Sequence, residues 1–162
     1  MNAERYAQGI ALDEYVQGTT GRRRFLSKLA EISLPDEVTE FFRNLPAPLH
    51  AIVITEPWCP GAPMALSMLV HCATLSDGRL DGRVLARDAN PDVMDEYLKA
   101  GKYRSITVVG FLTADFTRLG DIRENPTLPA WAALDIEQRR LAEVQTPWSE
   151  LWGRAYMIAV RG

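Results

Sequence analysis

The 162-residue chain is poor in the residues that build metal centres, disulfide frameworks and membrane spans. Its two cysteines, Cys59 and Cys72, and two histidines, His50 and His71, show no CxxC or HxxxH spacing. A tetrahedral metal set is therefore not expected, and no metal or cofactor is assigned. Two cysteines without a pairing signature fit a reducing cytoplasm better than an oxidising compartment. No apolar run approaches the ~20 residues of a membrane span. The first stretch, MNAERYAQGIALDEY, is interrupted by Glu4, Arg5, Asp13 and Glu14, unlike a signal peptide. Basic residues are short too: 18 Lys and Arg against 21 Asp and Glu give a net charge of −3. That balance argues against a nucleic-acid partner, and the one basic run, Arg22-Arg23-Arg24, reads as a solvated helix start.

What remains is ordinary for a globular protein, with 47% hydrophobic and 24% charged residues. A domain of about 150 residues buries about 68–70% of its unfolded surface, so one domain over 1–162 is expected. Residues 1–48 read as a helical extension. Ile10, Leu12, Tyr15 and Val16 lie near one stripe; Phe25, Leu26, Leu29 and Ile32 form a second, and Val38, Phe41 and Phe42 a third. Pro35 suits a first helical position, and Pro46-Ala47-Pro48 closes the region.

The pattern then changes. Leu49 to Thr55 contains the continuous apolar run AIVIT of a fully buried parallel strand, and a helix from about Pro60 to Leu75 follows. Between them lies a tight turn carrying Cys59. In open α/β sheets ligands bind outside the carboxyl ends of strands, so the side chains of Trp58 to Ala62 are expected to surface there. RVLARD at Arg83 to Asp88 is the next strand, and Asn90-Pro91 opens a helix through Val93, Met94, Tyr97 and Leu98 that Gly101 ends. Ile106 to Leu112 and Thr117 to Leu119 flank a short connection, which favours an antiparallel hairpin. A helix through Trp131, Leu134, Ile136 and Leu141 comes next, and a last one starts at Thr146-Pro147. Trp148, Trp152 and Tyr156 form one stripe on it, read as core packing; were it exposed, a homodimer would be the better account.

The βαβαββα order, the Trp58-Cys59-Pro60-Gly61 turn and GKYRSITVVGFLTADFTRLG at Gly101 to Gly120 resemble the thioredoxin superfamily. TEPWC at Thr55 to Cys59 and RDANPDVMDEYLKAG at Arg87 to Gly101 are similar to segments of a bacterial thioredoxin-like branch. The resemblance covers residues 49–145. It implies an α/β fold of thioredoxin type, a central mixed four-stranded sheet flanked by helices. To this the chain adds the extension at 1–48 and a carboxyl-terminal helix at 146–162.

Three departures from the superfamily stand out. In redox-active thioredoxins the turn reads W-C-x-x-C: the first thiolate is stabilised by the helix start and attacks, and the second cysteine releases the mixed disulfide. Here Cys59 matches the first and Ala62 stands at the second, so the turn is a degenerate WCxxA. Cys72 lies thirteen residues on, ~20 Å along a helix, whereas a disulfide needs Cα atoms within about 7 Å. His71 is ~18 Å away by the same rise, and His50 begins the strand at its opposite end, so no Cys-His pair is expected. Second, the superfamily places a cis-proline after a segment such as R-S-I; here Arg104-Ser105-Ile106 is followed by Thr107, and no proline occurs between Pro91 and Pro126. Because a cis bond without proline costs ~2.5–4 kcal/mol, a trans Ile106-Thr107 bond is expected. Third, Val53 occupies the position of the superfamily's buried acid.

Two functional readings follow. In one, Cys59 is a lone nucleophile, and hence the catalytic group of a monothiol oxidoreductase. It forms a mixed disulfide with a client protein or a low-molecular-weight thiol, resolved by an external thiol. In the other, a redox-inactive thioredoxin fold serves as a binding or scaffolding module. The resemblance implies a substrate groove at Trp58, Pro60, Gly61, Ala62, Ile106, Thr107 and Gly120 for either. Trp58 is read as packing that shields the turn, Glu56 as a solvated carboxylate, and Cys72 as a small buried hydrophobe. A peroxiredoxin-like peroxidase fits poorly, because Glu56 and Ile52 stand where that chemistry needs a hydroxyl and a proline.

Overall fold

A computed structural model describes residues 1–123 apart from residues 33 and 35. The helices expected around Trp131 and from Thr146, with the Trp148, Trp152 and Tyr156 stripe, lie outside the described residues. Four short helices come first: α1 (Ala3–Ala7), α2 (Leu12–Gly18), α3 (Arg22–Glu31) and α4 (Asp36–Arg43), with a two-residue strand β1 (Ile10–Ala11) between α1 and α2. Then follow β2 (Leu49–Thr55), α5 (Ala62–Leu75), β3 (Leu80–Ala86), α6 (Pro91–Asp95), β4 (Val108–Thr113) and β5 (Arg118–Arg123).

The strands form one mixed sheet in the order β1-β3-β2-β4-β5. β2 runs parallel to β3, from Leu49 opposite Leu80 to Thr55 opposite Ala86, and antiparallel to β4, from Leu49 opposite Thr113 to Ile54 opposite Val108. β4 and β5 form the expected antiparallel hairpin. β2 is thus paired on both edges, and Ala51 to Thr55 are buried on both faces, the environment that a continuous β-branched run requires. Each buried Val or Ile there contributes about 1.5–3 kcal/mol.

α5 is apolar on nearly every side, so it too must be covered all round. The sheet takes one face and α3 the other; the Ser67 hydroxyl donates to the carbonyls of Phe25 (3.1 Å) and Pro63 (2.6 Å). The amino-terminal region is therefore structural in the core. It also supplies a fifth strand, where a four-stranded sheet was expected: β1 pairs antiparallel with β3, Ile10 opposite Val84. Ile10 is 47% exposed, off the helical stripe predicted for it, because the chain is extended there and strand side chains alternate between faces. Tyr6 fastens this edge, its hydroxyl donating to the carbonyls of Asp81 (2.9 Å) and Ala51 (3.3 Å). Arg5 grips Asp92 with two bonds of 2.8 Å and Asn90 with a third of 2.8 Å.

α6 ends sooner than its sequence suggests. Val93, Met94 and Tyr97 are buried as predicted, yet regular helix stops at Asp95, and Ala100 and Gly101 turn the chain at φ of 53° and 66°. Asn90 caps by position only: its side chain is engaged with Arg5 and with the Ala86 carbonyl instead of the first-turn amides. Among the described residues, no helix is long and apolar enough to cross a membrane, and no group of three or more His, Cys, Asp or Glu gathers as a metal site.

Two predictions follow from this packing. A Cβ on Gly110 would lie 2.7 Å from the Tyr97 hydroxyl and ring, and Tyr97 is fully buried. Gly110→Ala is expected to lose about 1–3 kcal/mol by overpacking, read as a lower urea midpoint; an unchanged midpoint would show that the Tyr97 ring moves freely. The Arg5 guanidinium, chiefly through its hydrogen bond, holds the Asp92 carboxyl down to about 2. A depressed carboxylate stabilises above its unfolded value and loses that contribution as pH falls through the folded one. The Arg5 Nε–H resonance, whose proton is donated to Asp92, should thus be constant at pH 5 and shift as pH approaches 2, and Asp92→Asn should abolish that shift.

Candidate functional site

The site is built where β2 hands over to α5. Beyond Thr55, the Cys59 amide donates to the Glu56 carbonyl (3.0 Å) and the Ala62 amide to the Cys59 carbonyl (3.2 Å), two tight turns in succession. Pro57 and Pro60 suit such turns by fixing φ and removing a donor. α5 begins at Ala62, with Gly61 as cap and Pro63 in the first turn. Cys59 precedes the cap by two residues.

Strand register decides what meets the sulfur. Ile54 pairs with Val108, so the next residue outward on each chain is Thr55 and Thr107. Their hydroxyls lie 2.7 Å apart, and the Thr107 Oγ1 is 3.5 Å from the Cys59 Sγ. Thr107 thus occupies the place of the superfamily's cis-proline, and the Ile106-Thr107 bond is itself cis, which corrects the trans bond expected from local cost. Tertiary contacts decide the geometry: Ile106 and Thr107 are both buried, and the Thr107 hydroxyl is engaged with Thr55 and Cys59. Arg104, in the same segment, is tied to Asp95 by two bonds of 2.7 Å.

Three further expectations need correction. Cys59 was expected at the surface, yet it is only 5% exposed because the turn folds it back against Thr107. Trp58 does not shield the turn: it is 63% exposed, with the Arg87 guanidinium 5.2 Å from its ring centroid. Glu56 is 9% exposed, and its Oε1 accepts the Asp88 amide at 2.9 Å. The glutamate staples the two parallel strand ends together, beside the bond from the Arg87 amide to the Thr55 carbonyl (3.2 Å).

Trp58, Pro60, Gly61 and Ala62 share the turn with Cys59, and Thr107, next to Ile106, reaches the sulfur. Gly120 does not join them. It pairs with Phe111, which faces Ala51, four residues back from Thr55. His50 lies at the far end of β2, stacked on Phe116 at 4.6 Å between centroids. His71 is half-buried on α5, where burial lowers its pKa. Val53 is fully buried, so the acid position of the superfamily holds an apolar side chain. Sequence reasoning missed the Thr55–Thr107 pair; the only signal was a threonine at the end of each of two neighbouring strands.

A family model described as thioredoxin matches residues 9–130. The chain belongs to this thioredoxin family. The matched span takes in β1 to β5 and the whole Cys59 turn. Among solved structures, a protein of unknown function, PA1234 from Pseudomonas aeruginosa, is 19% identical, with 96% of this chain and 95% of that one covered at a TM-score of 0.72. An HIV epitope-scaffold is 21% identical, with 99% and 98% covered at a TM-score of 0.68. At these identities the likeness is one of fold. None of the curated proteins matches the sequence. The thioredoxin fold therefore stands, with a turn that carries one cysteine.

The second cysteine of the chain yields a prediction. Cys72 is fully enclosed in α5, and burial pushes its thiol pKa far up. It should resist iodoacetamide at pH 8 in the folded protein and react on urea unfolding, as read by peptide mass; labelling before the unfolding transition would show that α5 opens locally.

Proposed function

We propose that this thioredoxin-family protein carries out thiol–disulfide exchange through Cys59 alone. The supporting observation is the contact between Cys59 Sγ and Thr107 Oγ1 at 3.5 Å, with Thr55 Oγ1 at 2.7 Å behind it. A hydroxyl held in that place donates to a thiolate, and hydrogen bonds to a charged group contribute about 1.5–3 kcal/mol. The Cys59 thiolate attacks one sulfur of a disulfide, the S–S bond breaks, and the other half leaves as a thiolate. Ala62 offers no sulfur and Cys72 is enclosed, so an external thiolate attacks the mixed disulfide and releases Cys59. The partner is a client protein or a low-molecular-weight thiol.

The burial of Cys59 and the exposure of Trp58 favour a second reading, in which the fold binds a partner without redox chemistry. Intact mass after exposure to a small disulfide separates the two. Exchange predicts one adduct per chain, retained in Cys72→Ser and absent in Cys59→Ser. Thr107→Val is expected to slow its formation at pH 7 by about tenfold or more, and Thr107→Ser to restore it. An adduct that forms only as the protein unfolds would leave the binding module as the function, supported further if partner capture survives Cys59→Ala.

A further inference from the structure

Arg22, Arg23 and Arg24 fill the first turn of α3, which contains no acid. Cations there oppose the helix dipole, so local preference does not account for three of them. Tertiary structure gives two of them a setting. Arg23, Arg24, Ser27 and Lys28 line one wall of a cleft of about 450 Å³, and Pro60, Pro63 and Met64 line the other. Among the described residues, no acidic side chain lines it. Among the described residues, neither Arg23 nor Arg24 takes part in an ion pair. Pro60, on the cleft wall, directly follows Cys59 in the chain, so the cleft flanks the cysteine turn.

We propose that this cleft binds the carboxylates of a small anionic thiol and presents its sulfur to Cys59. Guanidinium groups recognise carboxylates through paired N–H donors. Pro60, Pro63 and Met64 supply an apolar wall for the ligand's backbone. The volume lies within the ~300–1,000 Å³ of small-molecule sites and suits a tripeptide-sized ligand. On a chain of net charge −3, the cleft gathers cations that an anionic ligand requires. The assignment deepens the exchange reading by naming its substrate class. The chemistry is unchanged: the disulfide form of that thiol is the oxidant, Cys59 gains one half, and the other half leaves as a thiolate.

The binding test avoids the reaction altogether. Titration calorimetry of Cys59→Ser with S-methylglutathione, whose sulfur is capped, should show binding. The affinity should fall by about tenfold or more in Arg23→Ala/Arg24→Ala and with added salt. Both arginines are exposed, so the fold is expected to tolerate the change. Absence of binding at millimolar ligand, or binding indifferent to the arginine pair, overturns the assignment. Tighter binding of a hexaglutamate peptide than of the tripeptide also overturns it, in favour of an acidic client segment.

A rate test keeps the two readings apart. In Cys72→Ser, exchange with the anionic aromatic disulfide dithiobis(nitrobenzoate) should slow by about tenfold or more in Arg23→Glu/Arg24→Glu, while exchange with cationic cystamine rises. A protein that binds S-methylglutathione but reacts with neither disulfide keeps the carboxylate site and loses the exchange reading. One that reacts equally with both, before and after substitution, keeps exchange and loses the site.

Discussion

The antiparallel register of β2 on β4 holds the site together. Pairing Ile54 with Val108 leaves Thr55 and Thr107 as the next residues beyond the ladder, at the edge where Cys59 turns back toward the sheet. A shift of one residue would turn every side chain of β4 to the opposite face, moving Gly110 away from the Tyr97 ring and separating the two hydroxyls. β2 lies at the centre of that pairing, with Ala51 to Ile54 apolar and buried on both faces. Fold stability and site geometry thus rest on the same strand pairing.

Around that pairing, the amino-terminal region does more than extend the domain. α3 covers the outer face of α5, Tyr6 bonds to carbonyls of both β2 and β3, and Arg5 ties α1 to the α6 turn. The same packing brings the arginines of α3 alongside Pro60 and Pro63. A helix that completes the core therefore also sets the charge beside the cysteine turn. Its two tasks use different sides of the helix: Phe25 faces the core, while Arg23 and Arg24 face the cleft.

Glu56 and Trp58 show how a short turn divides its work. Glu56 spends its carboxylate on the Asp88 amide and joins the ends of β2 and β3. Trp58 points outward beside Arg87. An apolar side chain in water and a carboxylate in the interior invert the usual preference. Each is explained by a specific neighbour: Asp88 gives the buried carboxylate a donor, and Arg87 gives the exposed ring a cation.

The strand–turn–helix from Leu49 to Leu75, the later strand, the hairpin and the single thiol in the turn were all legible in the amino-acid order, because each is written in local periodicity or in one residue's absence. The missing second cysteine at Ala62 and the enclosure of Cys72 on an apolar helix were legible for the same reason. The fifth strand, the early end of α6, the cis Ile106-Thr107 bond, the burial of Glu56 and Cys59 and the Thr55–Thr107 contact were not. Each depends on residues far apart in the chain: β1 on β3, Thr55 on Thr107 across 52 positions, Glu56 on Asp88 across 32. Local pattern determined which segments would be buried and where the thiol would stand. Only strand register and helix packing decided which hydroxyls, carboxylates and guanidinium groups would surround it, because those contacts are set by how the elements fit together and not by the residues next to them in sequence.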